Sequence, residues 1–188
     1  MIIHFICRGN SFRSIIAEAY LNSLEIKDSS VMSSGTTAAL DRVRNLAYYR
    51  MTLELLERHG IREFAKAGYG DQLTQSRLEK AHITVCMNQR VYDECLQCVT
   101  FPASPRIWSV ADVGEPGRIV YAESERELYR EEAYQEIVKN VDRLISDISV
   151  TSLLTGPEVD ATAPPIAHTA TARARLTGAA LPPRASVS

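Results

Sequence analysis

Ile2-Ile3-His4-Phe5-Ile6-Cys7-Arg8-Gly9-Asn10-Ser11-Phe12-Arg13-Ser14 runs from an apolar stretch through a turn composition into a helical pattern. Residues 2–6 suit a buried strand and are too few for a helix. Arg8-Gly9-Asn10-Ser11 has the make-up of a turn. From Ser14 to about Leu24, residues Ile16, Ala17, Tyr20 and Leu24 share one helical face. A cysteine and an arginine thus stand at the two ends of a tight loop, between a strand and a helix N-terminus.

Each residue of that loop has a chemical use. Successive N–H groups can turn inward as an anion-binding nest, and the helix start adds its positive dipole end. Gly9 is read as supplying the positive φ of the nest, with Asn10 the next most tolerant residue. Arg13 presents a planar fork to two oxygens of a tetrahedral oxyanion. Helix N-termini and neighbouring cations favour the thiolate of a cysteine, and the Ser14 hydroxyl can donate back to Cys7. A nucleophile facing an oxyanion cradle is the arrangement that covalent phosphoryl transfer needs.

Outward from the loop, strands and helices alternate. A second strand is predicted near Ser30–Ser33, ending at Ser34-Gly35-Thr36, and a third at His82–Cys86. Arg106-Ile107-Trp108 reads as a fourth strand or its edge. Asn45 is read as the cap of a helix carrying Leu46, Tyr49, Leu53 and Leu56 that stops at Gly60. A short helix is expected from Arg90 to about Leu96. Ser124 and Glu127 have capping-box spacing and open a long helix with Tyr134, Ile137, Val138, Val141, Leu144, Ile145 and Ile148 on one face. Strands separated by helices imply a parallel sheet covered on both faces, with ligands beyond the carboxyl ends of its strands. From Thr155 the pattern breaks into Ala, Thr and Pro with no apolar period, which reads as a disordered tail.

Composition sets the outer bounds. The 188 residues are 45% hydrophobic and 23% charged with net charge −2, values of one folded domain with an appendage. The near-neutral balance speaks against a nucleic-acid or anionic-membrane partner, and no apolar run nears the roughly 20 residues of a membrane span. The N-terminus lacks a signal-peptide pattern, so the four cysteines are expected as thiols in the cytoplasm.

The loop residues Cys7, Gly9, Asn10, Arg13 and Ser14, followed by Ile16-Ala17-Glu18-Ala19, resemble the low-molecular-weight protein tyrosine phosphatases. That family also includes thioredoxin-coupled arsenate reductases. Ser34-Gly35-Thr36, Val85-Cys86-Met87 and Trp108-Ser109-Val110-Ala111-Asp112 add to the resemblance, which covers residues 1 to about 150. It implies a domain over 1–150 and leaves unexplained the Ala/Thr/Pro-rich stretch over 151–188, which composition reads as a disordered tail. It further implies a four-stranded parallel sheet, a phosphorylated protein or small phosphomonoester as substrate, and no metal or organic cofactor. By the same resemblance Cys7 is the nucleophile and Arg13 the transition-state clamp. Residues Arg8, Gly9, Asn10, Ser11, Phe12 and Ser14 form the substrate-binding loop, and Asp112 is acid and then base.

The chain departs from the family pattern at several points. Val113-Gly114 replaces the usual proline and aromatic after the acid, and Glu115 is a rival acid close by. Phe12 stands where many relatives carry a second cysteine. Arg8 replaces a small or apolar residue, as added positive charge at the rim or as a solvated side chain. Tyr48-Tyr49 can wall a phosphate-ester pocket, although packing on the sheet is the preferred reading. Two alternatives accompany the phosphatase reading. One is an arsenate reductase relaying oxidation from Cys7 to Cys86, Cys95 or Cys98, with thioredoxin as partner. The other is a phosphate-binding relative without turnover.

Overall fold

The structure is a computed structural model describing residues 1–40, 42–112 and 122–154, the side chains of 151–154 excepted. The tail from 155 and Glu115 therefore lie outside the described residues. Four strands, β1 (Ile2–Cys7), β2 (Ser30–Gly35), β3 (Ile83–Cys86) and β4 (Arg106–Ile107), form one parallel sheet in the order β2-β1-β3-β4. The chain leaves β1 toward β2 and later returns to its other side with β3. The topological switch therefore falls at the carboxyl end of β1, where Cys7 stands, and a crevice opens there by construction.

Alternation along β1 sorts the core into two layers. Ile3, Phe5 and Cys7 join one cluster with Val85. Residues of α1 (Arg13–Ser23), α2 (Arg42–Arg58) and α5 (Glu123–Leu154) complete it. Ile6 and Cys86 belong to the other cluster, under α3 (Gln75–Glu79) and α4 (Gln89–Leu96), with Leu73, Leu78, Val91 and Cys95. The anticipated sheet with helices on both faces is what the chain forms. Helix α1 is buried nearly all round because it is wedged among β2, α2 and α5, which explains its weak amphipathic pattern. Leu24 falls just past its end and is exposed.

Two helix starts differ from the sequence reading. Asn45 lies inside α2 and is buried, its Nδ2 donating to the Ala38 carbonyl. It fastens the preceding segment instead of capping the helix. Ser124 is the second residue of α5, and Glu125 reaches back to the Ala122 N–H at 2.9 Å. Gly60 does stop α2. It takes a φ of 69°, and the N–H groups of Gly60 and Ile61 return to Glu57 and Leu56, a Schellman arrangement. Two short elements that carried no sequence signal, a 3-10 turn at Arg62–Phe64 and α3, bring Lys66, Asp71 and Arg77 beneath the loop that follows β1.

Candidate active site

The loop after β1 is held largely by its backbone. Thr36 and Thr37 N–H groups donate to the Cys7 and Arg8 carbonyls, and the Gly70 N–H donates to that of Asn10. The Thr52 hydroxyl donates to the Ser11 carbonyl at 2.7 Å. Asn10, with φ 48°, is the loop residue in the left-handed region, where a short polar side chain is tolerated. Gly9 does not have positive φ, contrary to the sequence reading. It is needed for space, because a Cβ there would stand 2.4 Å from Asn45 Oδ1.

Beneath the loop, Asn10 organises a buried network. Its Nδ2 donates to the hydroxyls of Ser14 (3.1 Å) and Ser33 (2.7 Å), and its Oδ1 accepts from Lys66 Nζ (2.8 Å) and the Asp71 N–H (2.9 Å). Ser33 in turn donates to Glu18 in a short hydrogen bond, and Lys66 Nζ lies 3.8 Å from that carboxyl. Burial pushes the Glu18 carboxyl above its usual range, with the Lys66 charge acting against it. The output of the network is the position of one sulfur. Cys7 Sγ lies 3.0 Å from Ser14 Oγ and accepts from the Asn10 N–H at 3.2 Å.

Above the loop lies a cleft of about 250 Å³, lined by Cys7, Arg8, Gly9, Ser11, Phe12, Arg13 and Asp112 from the predicted set. Asn10 and Ser14 are not in its wall. Both are fully buried and act from behind. Arg13 is nearly buried, donating through Nη1 to the Val110 carbonyl at 2.9 Å and meeting Asp112 Oδ2 through Nη2 at 2.6 Å. The expected acid and clamp are therefore brought into direct contact. Arg8 Nε pairs with Glu94 Oε1 at 2.8 Å, so its charge is matched by α4 instead of standing alone at the rim.

The rest of the cleft comes from Thr37, Leu40, Arg44, Asn45 and Tyr48. Tyr48 faces the cleft, while Tyr49 is buried and stacks on Tyr69. The packing preference thus applies to only one of the pair. A helical wheel of α2 separates the two, but sequence alone does not say which face meets the loop. Among the described residues no cluster of His, Cys, Asp and Glu could hold a metal. None of the described helices is long and apolar enough to cross a membrane.

The other titratable candidates lie elsewhere. His4 is wholly buried with Nε2 2.7 Å from Ser34 Oγ, and burial lowers its pKa to about 4. It is a neutral core residue. Cys86 and Cys95 sit in the cluster on the sheet face opposite to Cys7. The adjoining Cys86 sulfur, then burial, push the Cys95 thiol up.

A parallel α/β sheet with a thiol and a guanidinium closing one loop at its switch point defines the class. The family model for low molecular weight phosphotyrosine protein phosphatase matches residues 2–149, and the chain belongs to that family of hydrolases. Among solved structures it is similar to the YwlE arginine phosphatase from Geobacillus stearothermophilus. Identity there is 20% over 84% of this chain and 98% of that one, with a TM-score of 0.57. Wzb of Vibrio vulnificus with benzylphosphonate is 18% identical over 78% and 97%, TM-score 0.58. A thioredoxin-dependent arsenate reductase from Corynebacterium glutamicum is 18% identical over 80% and 62%, TM-score 0.55. At these identities the likeness is one of fold. No curated protein matches the chain.

Proposed function

We propose that this phosphatase hydrolyses phosphomonoesters, on proteins or small molecules, through a cysteinyl-phosphate intermediate on Cys7. The observation carrying this reading is the sulfur that receives the Asn10 N–H and faces the Ser14 hydroxyl at the base of a cleft walled by Arg13 and Asp112. A phosphate dianion entering the loop takes the Arg13 fork, with the N–H groups of residues 8 to 13 as its cradle. Asp112, displaced from that fork, meets the leaving oxygen as the general acid.

Attack by the Cys7 thiolate forms the S–P bond as the P–O bond to the leaving group breaks, and Asp112 gives its proton to that oxygen. The carboxylate then takes a proton from water as the water attacks phosphorus, releasing phosphate and restoring the thiolate. Tyr48 and Leu40 present an apolar wall to the leaving group. Cys86 and Cys95 lie in the cluster on the sheet face opposite to Cys7, and Cys98 follows Cys95 with its N–H on the Cys95 carbonyl. A relay to any of the three would have to cross the sheet, which favours hydrolysis over arsenate reduction.

The wild-type chain should hydrolyse p-nitrophenyl phosphate and, on rapid acid quench, carry phosphate on Cys7. Cys7→Ser should lose turnover while still binding inorganic phosphate. Turnover by Cys7→Ser at the wild-type rate would overturn the reading. Wild-type phosphate binding without any covalent phosphate or product would leave a binding relative.

A further inference from the structure

The acid arrives on a segment that lacks the proline and aromatic usual after it, with Val113-Gly114 in their place. Among the described residues, it is held from other elements. The Val110 N–H donates to the Met87 carbonyl, and the Val110 carbonyl accepts from Arg13 Nη1 and from Asn88 Nδ2 at 3.3 Å. One residue nearer the acid, the Ala111 carbonyl accepts the hydroxyl of Tyr129 at 2.8 Å.

Tyr129 is suited to fix that carbonyl. Its ring is nearly buried and packs 6.1 Å from the ring of Phe12, the loop residue just before Arg13. It stands early on α5, and Tyr134, Ile137, Val141 and Leu144 bury the same helix in the core. Near this end α5 is also clasped to the end of α2. Arg58 pairs with Glu127, His59 bonds Glu131 at 3.1 Å, and the His59 ring stacks on Tyr134 at 3.7 Å. The hydroxyl is thus carried on a rigid mount and aimed at the peptide whose nitrogen belongs to Asp112. That peptide sets the direction in which the carboxyl leaves the chain.

We propose that Tyr129 is the positioning residue for Asp112, restraining from α5 the peptide that carries it. The proposal rests on the assignment of Asp112 as general acid. Removing the hydroxyl leaves packing intact and lets the Asp112 peptide rotate, so the loss falls on proton delivery. It does not fall on phosphate capture, which belongs to Cys7–Arg13.

The test is rapid-quench measurement of the phosphorylation step for a series of aryl phosphates in wild type, Tyr129→Phe and Asp112→Ala. Tyr129→Phe should slow phenyl phosphate about 3- to 10-fold, the range of one hydrogen bond. It should leave 2,4-dinitrophenyl phosphate, which needs no acid, within about 2-fold. Inhibition by inorganic phosphate should be unchanged, and the melting temperature should fall by no more than the few degrees that one lost hydrogen bond costs. Equal slowing of all substrates, or none, in Tyr129→Phe beside a steep leaving-group dependence in Asp112→Ala overturns the role of Tyr129 alone. A flat profile in Asp112→Ala removes the acid assignment, and the proposal with it.

Discussion

The loop of residues 7–14 and the segment of residues 110–112, which carries the proposed acid, meet at one cleft, yet they are restrained in different ways. Three loop carbonyls, of Cys7, Arg8 and Asn10, are bonded to backbone from distant segments, and its Asn10 side chain makes four hydrogen bonds. Among the described residues, the segment of residues 110–112 is held by the Val110 N–H on the Met87 carbonyl, by the Val110 carbonyl on Arg13 and Asn88, by the Ala111 carbonyl on Tyr129, and by the Asp112–Arg13 ion pair. The contrast follows from what each has to do. An oxyanion cradle acts by being in place before charge develops, so mobility weakens it. In the mechanism proposed above, an Asp112 that leaves Arg13, delivers a proton and then collects one from water has to keep some freedom of movement.

The sharpest way to break this contrast is at Asn10. Asn10→Ala puts a residue with no side-chain hydrogen bonds at φ 48° and strands the Lys66 and Ser33 partners. A loss of about 3–5 kcal/mol in urea unfolding is expected from the strain and the orphaned groups together. Turnover of p-nitrophenyl phosphate should fall at least about 100-fold. A smaller stability loss than that of an acid-segment variant such as Tyr129→Phe would mean that the loop is not the stiffer region.

Acidification tests the same region from its supporting strand. His4 is neutral when folded, burial lowering its pKa to about 4 from the ordinary 6.5. The stability attached to the neutral buried ring is fully present above about pH 6.5 and is lost as pH falls toward 4, by up to about 3 kcal/mol. The raised Glu18 carboxyl works in the opposite sense, gaining stability as it takes up a proton. The comparison is therefore wild type against His4→Gln in unfolding between pH 4 and 7. The variant should lose the His4 share of the slope, and identical slopes would refute it.

A gentler probe is Gly9→Ala. The added Cβ meets Asn45 Oδ1, and overpacking of this kind costs about 1–3 kcal/mol. Because φ at Gly9 is not positive, Gly9→Ala combined with Asn45→Ala should recover most of the loss relative to Asn45→Ala alone. Failure to recover would mean that the loop backbone, not the space above it, demands glycine.

Much of this site was legible from residues 2–14 because strand, turn and helix start follow one another without interruption. Cys7, Arg13 and Asp112 do line one cleft. What escaped the sequence is what long-range packing decides. The role of Gly9 depended on Asn45, which is distant in the chain. Lys66 and Asp71 lie in a stretch without periodicity, and only the fold brings them under Asn10. Ser124 looked like a cap, but helix α5 begins one residue earlier. Tyr129 read as one more aromatic near the start of a helix. Its hydroxyl gained meaning only when Ala111 was placed against it.

Gly35 extends the argument to how the chain finds its arrangement. It pairs with Cys7 at the last rung of β1–β2, and a Cβ there would stand 2.3 Å from the Arg8 carbonyl and 2.7 Å from the Asn10 nitrogen. Shift β2 by a single residue and Ser34 or Thr36 arrives at that rung, bringing side-chain atoms where none fit. The loop can close only over correctly aligned strands, so the proposed anion cradle proofreads the sheet on which it is built.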